Sequence, residues 1–200
     1  MIQQLFTQLE VYNKIFPDEK ETVRRIQEFL RENGADAFSR FNYEGHITSS
    51  AWLLNKSFQH VLLIRHKKLK KLIQPGGHWE KGDVYLPMTA LRELHEEVGI
   101  QNVAGVMDGI FHVDIHRIPK SAHEAGHFHF DICYLFISES DRFSIEEKEL
   151  DWAKWYEIKK LEKIKIDDAA LCSMIKKTDK YSCVEEPSSL GTFMWKNIYW

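Results

Sequence analysis

Hydrophobic positions change period several times along this chain. Leu5, Leu9 and Tyr12 recur at helical spacing, and so do Val23, Ile26, Phe29 and Leu30, with Pro17-Asp18 as a start signal between them and Gly34 as a stop. Helices are therefore predicted over residues 1 to about 40. From Ile47 the period shortens. Residues 47–54 and 59–64, joined by Asn55-Lys56-Ser57, read as a β-hairpin, and residues 72–74 as a further short strand. Helical spacing returns between Leu91 and Val98 and then gives way to strict alternation. His112, Asp114 and His116 alternate with Phe111, Val113 and Ile115; His127, His129 and Asp131 alternate with Phe128, Phe130 and Ile132. Successive strand side chains point to opposite faces, so antiparallel pairing would bring both His/Asp rows onto one surface. Residues 144–148 read as a charged loop. Asp167 is suited to cap a last helix ending near Lys177.

Chemistry concentrates between Gln74 and Ile100. Gly76, Gly77 and Gly82 flank His78-Trp79-Glu80-Lys81, and such a turn lets a phosphate or metal approach the main chain. In the helix that follows, Glu93, Glu96 and Glu97 share one face while Leu91, Leu94 and Val98 share the other. Like charges three and four residues apart cost a helix a few tenths of a kcal/mol each. Arg92 relieves part of this through Glu96, and a hard divalent cation such as Mg²⁺ suits the remaining carboxylates. The bland alternative is a solvated charged face. Gly99 is placed to end the helix.

This stretch resembles the Nudix box, G-x5-E-x7-R-E-U-x-E-E-x-G-U with U aliphatic. Gly77 matches its first glycine, and Arg92, Glu93, Leu94, Glu96, Glu97, Gly99 and Ile100 match its second half. Asp83 replaces the first glutamate, and eight residues rather than seven separate it from Arg92, which enlarges the turn before a helix that Pro87 can open. Asp114-Ile115-His116-Arg117-Ile118-Pro119 and His127 to Asp131 further resemble the Asp-x-His-x-Ile-Pro and His-x-His-x-Asp segments of a bacterial Nudix subset. Residues 149–158 resemble the family's late strand and Trp155 to Leu161 the Trp-to-Leu turn that follows it, and the likeness runs from about Ser39 to Trp155.

The resemblance implies an α/β/α sandwich with a mixed sheet. It also implies Mg²⁺-dependent (or Mn²⁺-dependent) hydrolysis of a nucleoside diphosphate linked to another group. Glu93, Glu96 and Glu97, with the Gly77 carbonyl, are the expected metal ligands; Glu93 or a loop acid, Glu149 before Glu146 and Glu147, is the expected base; Arg92 orients the acids. His78, Asp114, His116, His127, His129 and Asp131 are expected to contact substrate. For the His/Asp rows a polar wall of the cleft, a second metal site and a solvated face all stay open. Trp52, Trp79, Phe111 and Tyr134 are available for stacking. A nucleotide-binding sensor without turnover, and an isoprenoid diphosphate isomerase using Cys133, are the alternative activities.

Composition narrows the setting. Two hundred residues, 44% hydrophobic and 12% aromatic, support a sizeable core with additions around it. Residues 1–45 are expected as a helical extension packed on the core or forming a homodimer contact, residues 46–178 as the hydrolase domain, and 179–200 as an aromatic-rich segment folding back or meeting a partner subunit. A net charge of −3 gives no pull toward nucleic acid polymers or acidic membranes. There is no apolar run of spanning length and no secretory layout at the start, and Cys133, Cys172 and Cys183 are odd in number and scattered. A reducing cytoplasm is the expected compartment. Lys67, Lys68, Lys70 and Lys71 read as a solvated run, or as a lure for a polyanionic substrate.

Overall fold

Apolar spacing translates directly into the first elements. The computed structural model describes residues 1–105, 109–120, 125–164 and 166–182. Helices α1 (Ile2–Ile15) and α2 (Lys20–Asn33) follow the two amphipathic stretches, joined by a short 3-10 turn beginning at Pro17. Every apolar residue expected on their inner faces is buried, from Leu5 to Leu30. The hairpin follows as β1 (Gly45–Leu54) and β2 (His60–His66), then β3 (Leu72–Ile73) and β4 (Gly76–His78). Helix α3 (Leu86–Val98) carries the acids, with Pro87 in its first turn. Gly99 ends it in the left-handed conformation at φ 64°, its amide donating to the His95 carbonyl at 3.0 Å. The chain continues through β5 (Val103–Gly105), β6 (His112–Ile118), β7 (His127–Ser138), β8 (Leu150–Glu157), α4 (Ile158–Leu161) and α5 (Ala169–Ser182). Hydrogen bonding orders the strands β3-β2-β1-β7-β5, with β4 on β1, β6 on β7 and β8 on β2.

Packing divides the chain into two compact units, and β1, α3 and β7 each contribute to both. The first holds the described residues of 1–50, 76–90 and 109–134. Here β6 pairs antiparallel with β7, opposing Asp114 to Asp131, His116 to His129 and Ile118 to His127. The ring of Phe29 on α2 stacks on Phe130 of β7 at 4.0 Å between centroids, an arrangement that adds about 0.5–1.5 kcal/mol to plain burial. Tyr134 donates its hydroxyl to Gln8 of α1 at 3.1 Å.

The second unit holds the described residues of 51–75, 91–108 and 135–200. Its centre is β2, paired antiparallel with β8 from His60 opposite Glu157 to His66 opposite Leu150, and with β3 on its other edge. Fully buried Trp52 donates its indole N–H to Thr178 of α5 at 2.9 Å. The cap of α5 is Asp168, whose Oδ1 accepts the Leu171 amide at 3.0 Å, one residue later than the Asp167 expected from sequence. The helix also runs on to Ser182 instead of stopping near Lys177. Residues 183–200, the bulk of the aromatic-rich C-terminal segment, lie outside the described residues.

Candidate active site

The glycine turn is shaped by contact with β1. Strand β4 pairs antiparallel with it, Gly76 opposite Ser50, Gly77 opposite Ser49 and His78 opposite Thr48. A Cβ at Gly76 would lie 2.6 Å from the Ser50 Cα, so only glycine fits. Beyond β4, Trp79 donates its indole N–H to the Asp83 carbonyl at 2.8 Å. The Asp83 carboxylate accepts the Glu80 amide at 3.1 Å and the Thr89 hydroxyl of α3 at 2.9 Å. The displaced first acid of the box thus closes the enlarged turn and fastens it to the first turns of the helix.

Along the later part of α3 the acids are organised by Arg92. Its Nη1 donates to Glu93 Oε1 and to Glu96 Oε2, each at 3.0 Å. Glu96 is the exposed partner, whereas Glu93 and Arg92 are largely covered, and Glu97 is buried. The loop after β7 is pinned to the end of this helix: Ser144 donates its amide to Val98 and Glu146 to the Glu97 carbonyl, at 3.0 and 2.9 Å. That brings Glu149 close enough for its charge to act on Glu93. Burial pushes the Glu93 carboxyl up to about 7, Glu96 and Glu149 add to the rise, and Arg92 opposes it. Carboxylates are hard oxygen donors, of the kind that a divalent cation accepts as ligands.

The lysine run is engaged nearby. Lys67 donates to the Glu147 carbonyl through its ammonium, Lys70 pairs with Asp151 at 3.3 Å and Lys71 with Asp168 at 3.8 Å. These exposed contacts are individually weak, and they tie the run to the loop, to β8 and to the α5 cap.

The His/Asp rows meet as the alternation predicted, and two further strands join them. From β1, His46, Thr48 and Ser50 form a third polar row. Thr48 and Ser50 donate their hydroxyls to the two oxygens of Asp131, at 2.8 and 2.5 Å. Burial still pushes the Asp131 carboxyl above its ordinary range, against the pull of these hydroxyls. His46 packs its ring 4.8 Å from both His127 and His129 and 4.9 Å from His78. His116 lies 5.4 Å from His129 and donates Nδ1–H to Asp114 at 2.8 Å. Burial presses Asp114 upward, yet this His116 contact leaves it below its ordinary value. His129 is driven far below the usual imidazole range by burial and then by the surrounding His78, His46, His116 and His127. It is a neutral imidazole at physiological pH.

His112 continues the β6 row but is buried opposite Cys133, with Nδ1 3.7 Å from Glu19 of the N-terminal region. One sequence reading is corrected here. Trp52, Phe111 and Tyr134 are core residues, exposed by no more than 3%, and offer no stacking surface. Of the four aromatics named, Trp79 alone keeps a partly exposed ring. His46 was missed, although His46, Thr48 and Ser50 repeat at the strand period and could have been read as a row like the others.

With the geometry set out, comparison with known proteins identifies the family. The NUDIX domain model matches residues 45–173, and the chain belongs to that family. It is a pyrophosphohydrolase of the Nudix class, built on the expected Nudix-type α/β sheet with helices and preceded by a helical region. A NUDIX-family hydrolase from Clostridium perfringens is 28% identical, with a TM-score of 0.51 over 68% of this chain and 97% of that one. The MutT protein of Methanosarcina mazei Go1 is 20% identical, with a TM-score of 0.49 over 72% and 99% of the two chains. The NUDIX domain of Shewanella oneidensis NrtR, solved with ADP ribose, is 18% identical, with a TM-score of 0.49 over 77% and 96%. No curated protein matches the chain.

Proposed function

We propose that this enzyme hydrolyses a pyrophosphate bond in a nucleoside diphosphate linked to another group: a nucleotide sugar, a dinucleotide or a nucleoside triphosphate. The observation that carries the proposal is Arg92 donating to Glu93 and Glu96 at once, on the helix that also carries the buried Glu97. Glu93, Glu96 and Glu97, with the Gly77 carbonyl, would hold the Mg²⁺ (or Mn²⁺). When bound, the cation offsets the negative charge of the pyrophosphate and lowers the pKa of attacking water. Arg92 fixes the carboxylates so that ligand geometry is set before substrate arrives. Glu93, or Glu149 from the neighbouring loop, accepts the proton of water. Asp114, His116 and His78, with His127, His129 and Asp131 behind them, provide the polar surface for the substrate.

Residues 46–178 constitute the hydrolase domain in this reading, 1–45 an extension and 179–200 a separate segment. The setting is the cytoplasm. Among the described residues no helix is long and apolar enough to cross a membrane.

The test is a panel of nucleotide sugars (ADP-ribose among them), dinucleoside polyphosphates and nucleoside triphosphates, assayed with Mg²⁺ and with Mn²⁺. Release of a nucleoside monophosphate from at least one class is expected. Tight nucleotide binding with no metal-dependent product across the panel would replace hydrolysis by sensing.

A further inference from the structure

Among the described residues, three ligating side chains converge in an imidazole cluster at the starts of β1 and β7. His46, His127 and His129 each place one ring nitrogen within 4.8 Å of the other two. The approach is built into the strands. Glu44 accepts the Phe128 amide at 3.1 Å, and a Cβ at Gly45 would come within 2.5 Å of the Phe128 carbonyl, so a glycine must precede His46 for the strands to draw together here.

Ring orientation is fixed as well. Nδ1 of His127 lies 2.9 Å from the Ala125 carbonyl, which can only accept, so the proton sits on Nδ1. With Nδ1 so engaged, Nε2 is the nitrogen of His127 that turns inward, facing His129 Nε2 at 3.1 Å. Anchoring of one imidazole nitrogen by a backbone carbonyl, with the other turned inward, is how metal-ligating histidines are held. The adjacent His116 shows the carboxylate version of the same arrangement, through Asp114.

We propose that His46, His127 and His129 form a second metal site, selective for a divalent first-row transition cation of the Zn²⁺ type and built from donors other than the carboxylates of α3. The donors decide the class: three imidazoles suit zinc, nickel, copper or cobalt, whereas Mg²⁺ requires oxygen. The spacing is compatible, because a tetrahedral zinc with Zn–N of about 2.0–2.1 Å needs ligand nitrogens roughly 3.3 Å apart. His127 and His129 already meet that spacing, and His46 closes the remainder by a ring rotation. Three protein ligands leave a fourth position for water or a substrate oxygen. The ion joins the start of β1 to the start of β7, so it also braces the strand pair.

The experiment uses the full chain, stripped by chelator and then exposed to Co²⁺ or Zn²⁺ with Mg²⁺ in large excess to occupy oxygen sites. The expected result is one tightly held equivalent by elemental analysis after desalting, with the visible bands of four-coordinate Co²⁺ and imidazole scattering in the X-ray absorption spectrum. His46→Gln and His129→Gln, each checked for a native circular dichroism spectrum, should lose that equivalent, and Glu96→Gln should keep it. The proposal is overturned if the wild-type protein retains no transition metal under these conditions. It is equally overturned by an absorption spectrum showing only oxygen ligands, or by loss of the metal in Glu96→Gln with retention in both histidine variants. The wild-type spectrum decides the matter even if a histidine variant fails to fold.

Discussion

Asp131 accepts the Thr48 hydroxyl at 2.8 Å, although the two residues are 83 positions apart. With Ser50 on its other oxygen, the carboxylate joins β7 to β1 in the interior. Removing it leaves two buried hydroxyls without their acceptor, and each unsatisfied group costs about 1–3 kcal/mol. Asp131→Ala should therefore lose about 2–4 kcal/mol in urea unfolding, and Thr48→Val about 1 kcal/mol, since its methyls replace one donor without stranding a charge. A loss below about 0.5 kcal/mol for Asp131→Ala would contradict this role.

Arg92 donates to both Glu93 and Glu96, which makes it a positioning residue in the proposed site. Loss of a group that orients metal ligands costs about 10–100-fold in affinity or activity. Arg92→Ala is expected to lower kcat by that factor and to raise the Mg²⁺ concentration at half-activation, with KM for the nucleotide nearly unchanged. Lysine should restore little of it, because a single ammonium does not reproduce the planar guanidinium fork. A rise confined to KM would instead make Arg92 a substrate contact.

Glu97→Gln tests the ligand set itself. The side chain is 5% exposed and glutamine has nearly its shape, so the fold is expected to persist by circular dichroism. Turnover with Mg²⁺ should fall by at least about a hundredfold, more than for Arg92→Ala, if Glu97 is the metal ligand proposed above. A Glu97→Gln enzyme of full activity removes the assignment.

The close approach at Gly76 yields a stability prediction. A Cβ there meets the Ser50 backbone at 2.6 Å, and β4 would have to leave its pairing with β1 to make room. Gly76→Ala should cost about 1–3 kcal/mol in thermal or urea unfolding. Gly82, where an added Cβ meets nothing within 4 Å, is the matched control and should tolerate alanine with little change.

Local regularities made much of this molecule legible before its structure. The apolar spacing of α1 and α2, the hairpin of β1 and β2, the acids of α3 and the paired His/Asp strands all follow from periods of 3.6 and 2, which need no knowledge of distant contacts. What stayed hidden depends on such contacts. His46 is one imidazole beside two small polar residues, and its meaning comes only from the strands it lies against. Asp83 occupies the place of a family acid, but its role in closing the turn depends on Thr89 six residues on. The aromatic character of Trp52 says nothing about exposure, which Thr178 and the packing of α5 decide.

The turn after β2 should respond to pH. His66 Nδ1 accepts the amides of Lys68 and Leu69 at 3.2 and 3.3 Å, which requires the neutral ring. Burial lowers its pKa below the ordinary 6.5, the Lys68 charge adds to this, and Glu149 opposes it. A group depressed in the folded state contributes stability that is fully present above 6.5 and is lost as pH falls toward the folded pKa. The ring resonances should therefore titrate with a midpoint below 6.5, and the Lys68 and Leu69 amides should lose exchange protection over the same range. Because the Lys67 amide donates to the Glu149 carbonyl at 2.9 Å, loosening of this turn also releases the loop that carries the candidate base. His66→Asn supplies a side-chain oxygen that can accept the amide two residues on and does not titrate. It should hold the turn at low pH and flatten the acidic limb of this local exchange profile. A histidine midpoint at or above 6.5, or amide protection that ignores pH, would show that the neutral ring is not what holds the turn.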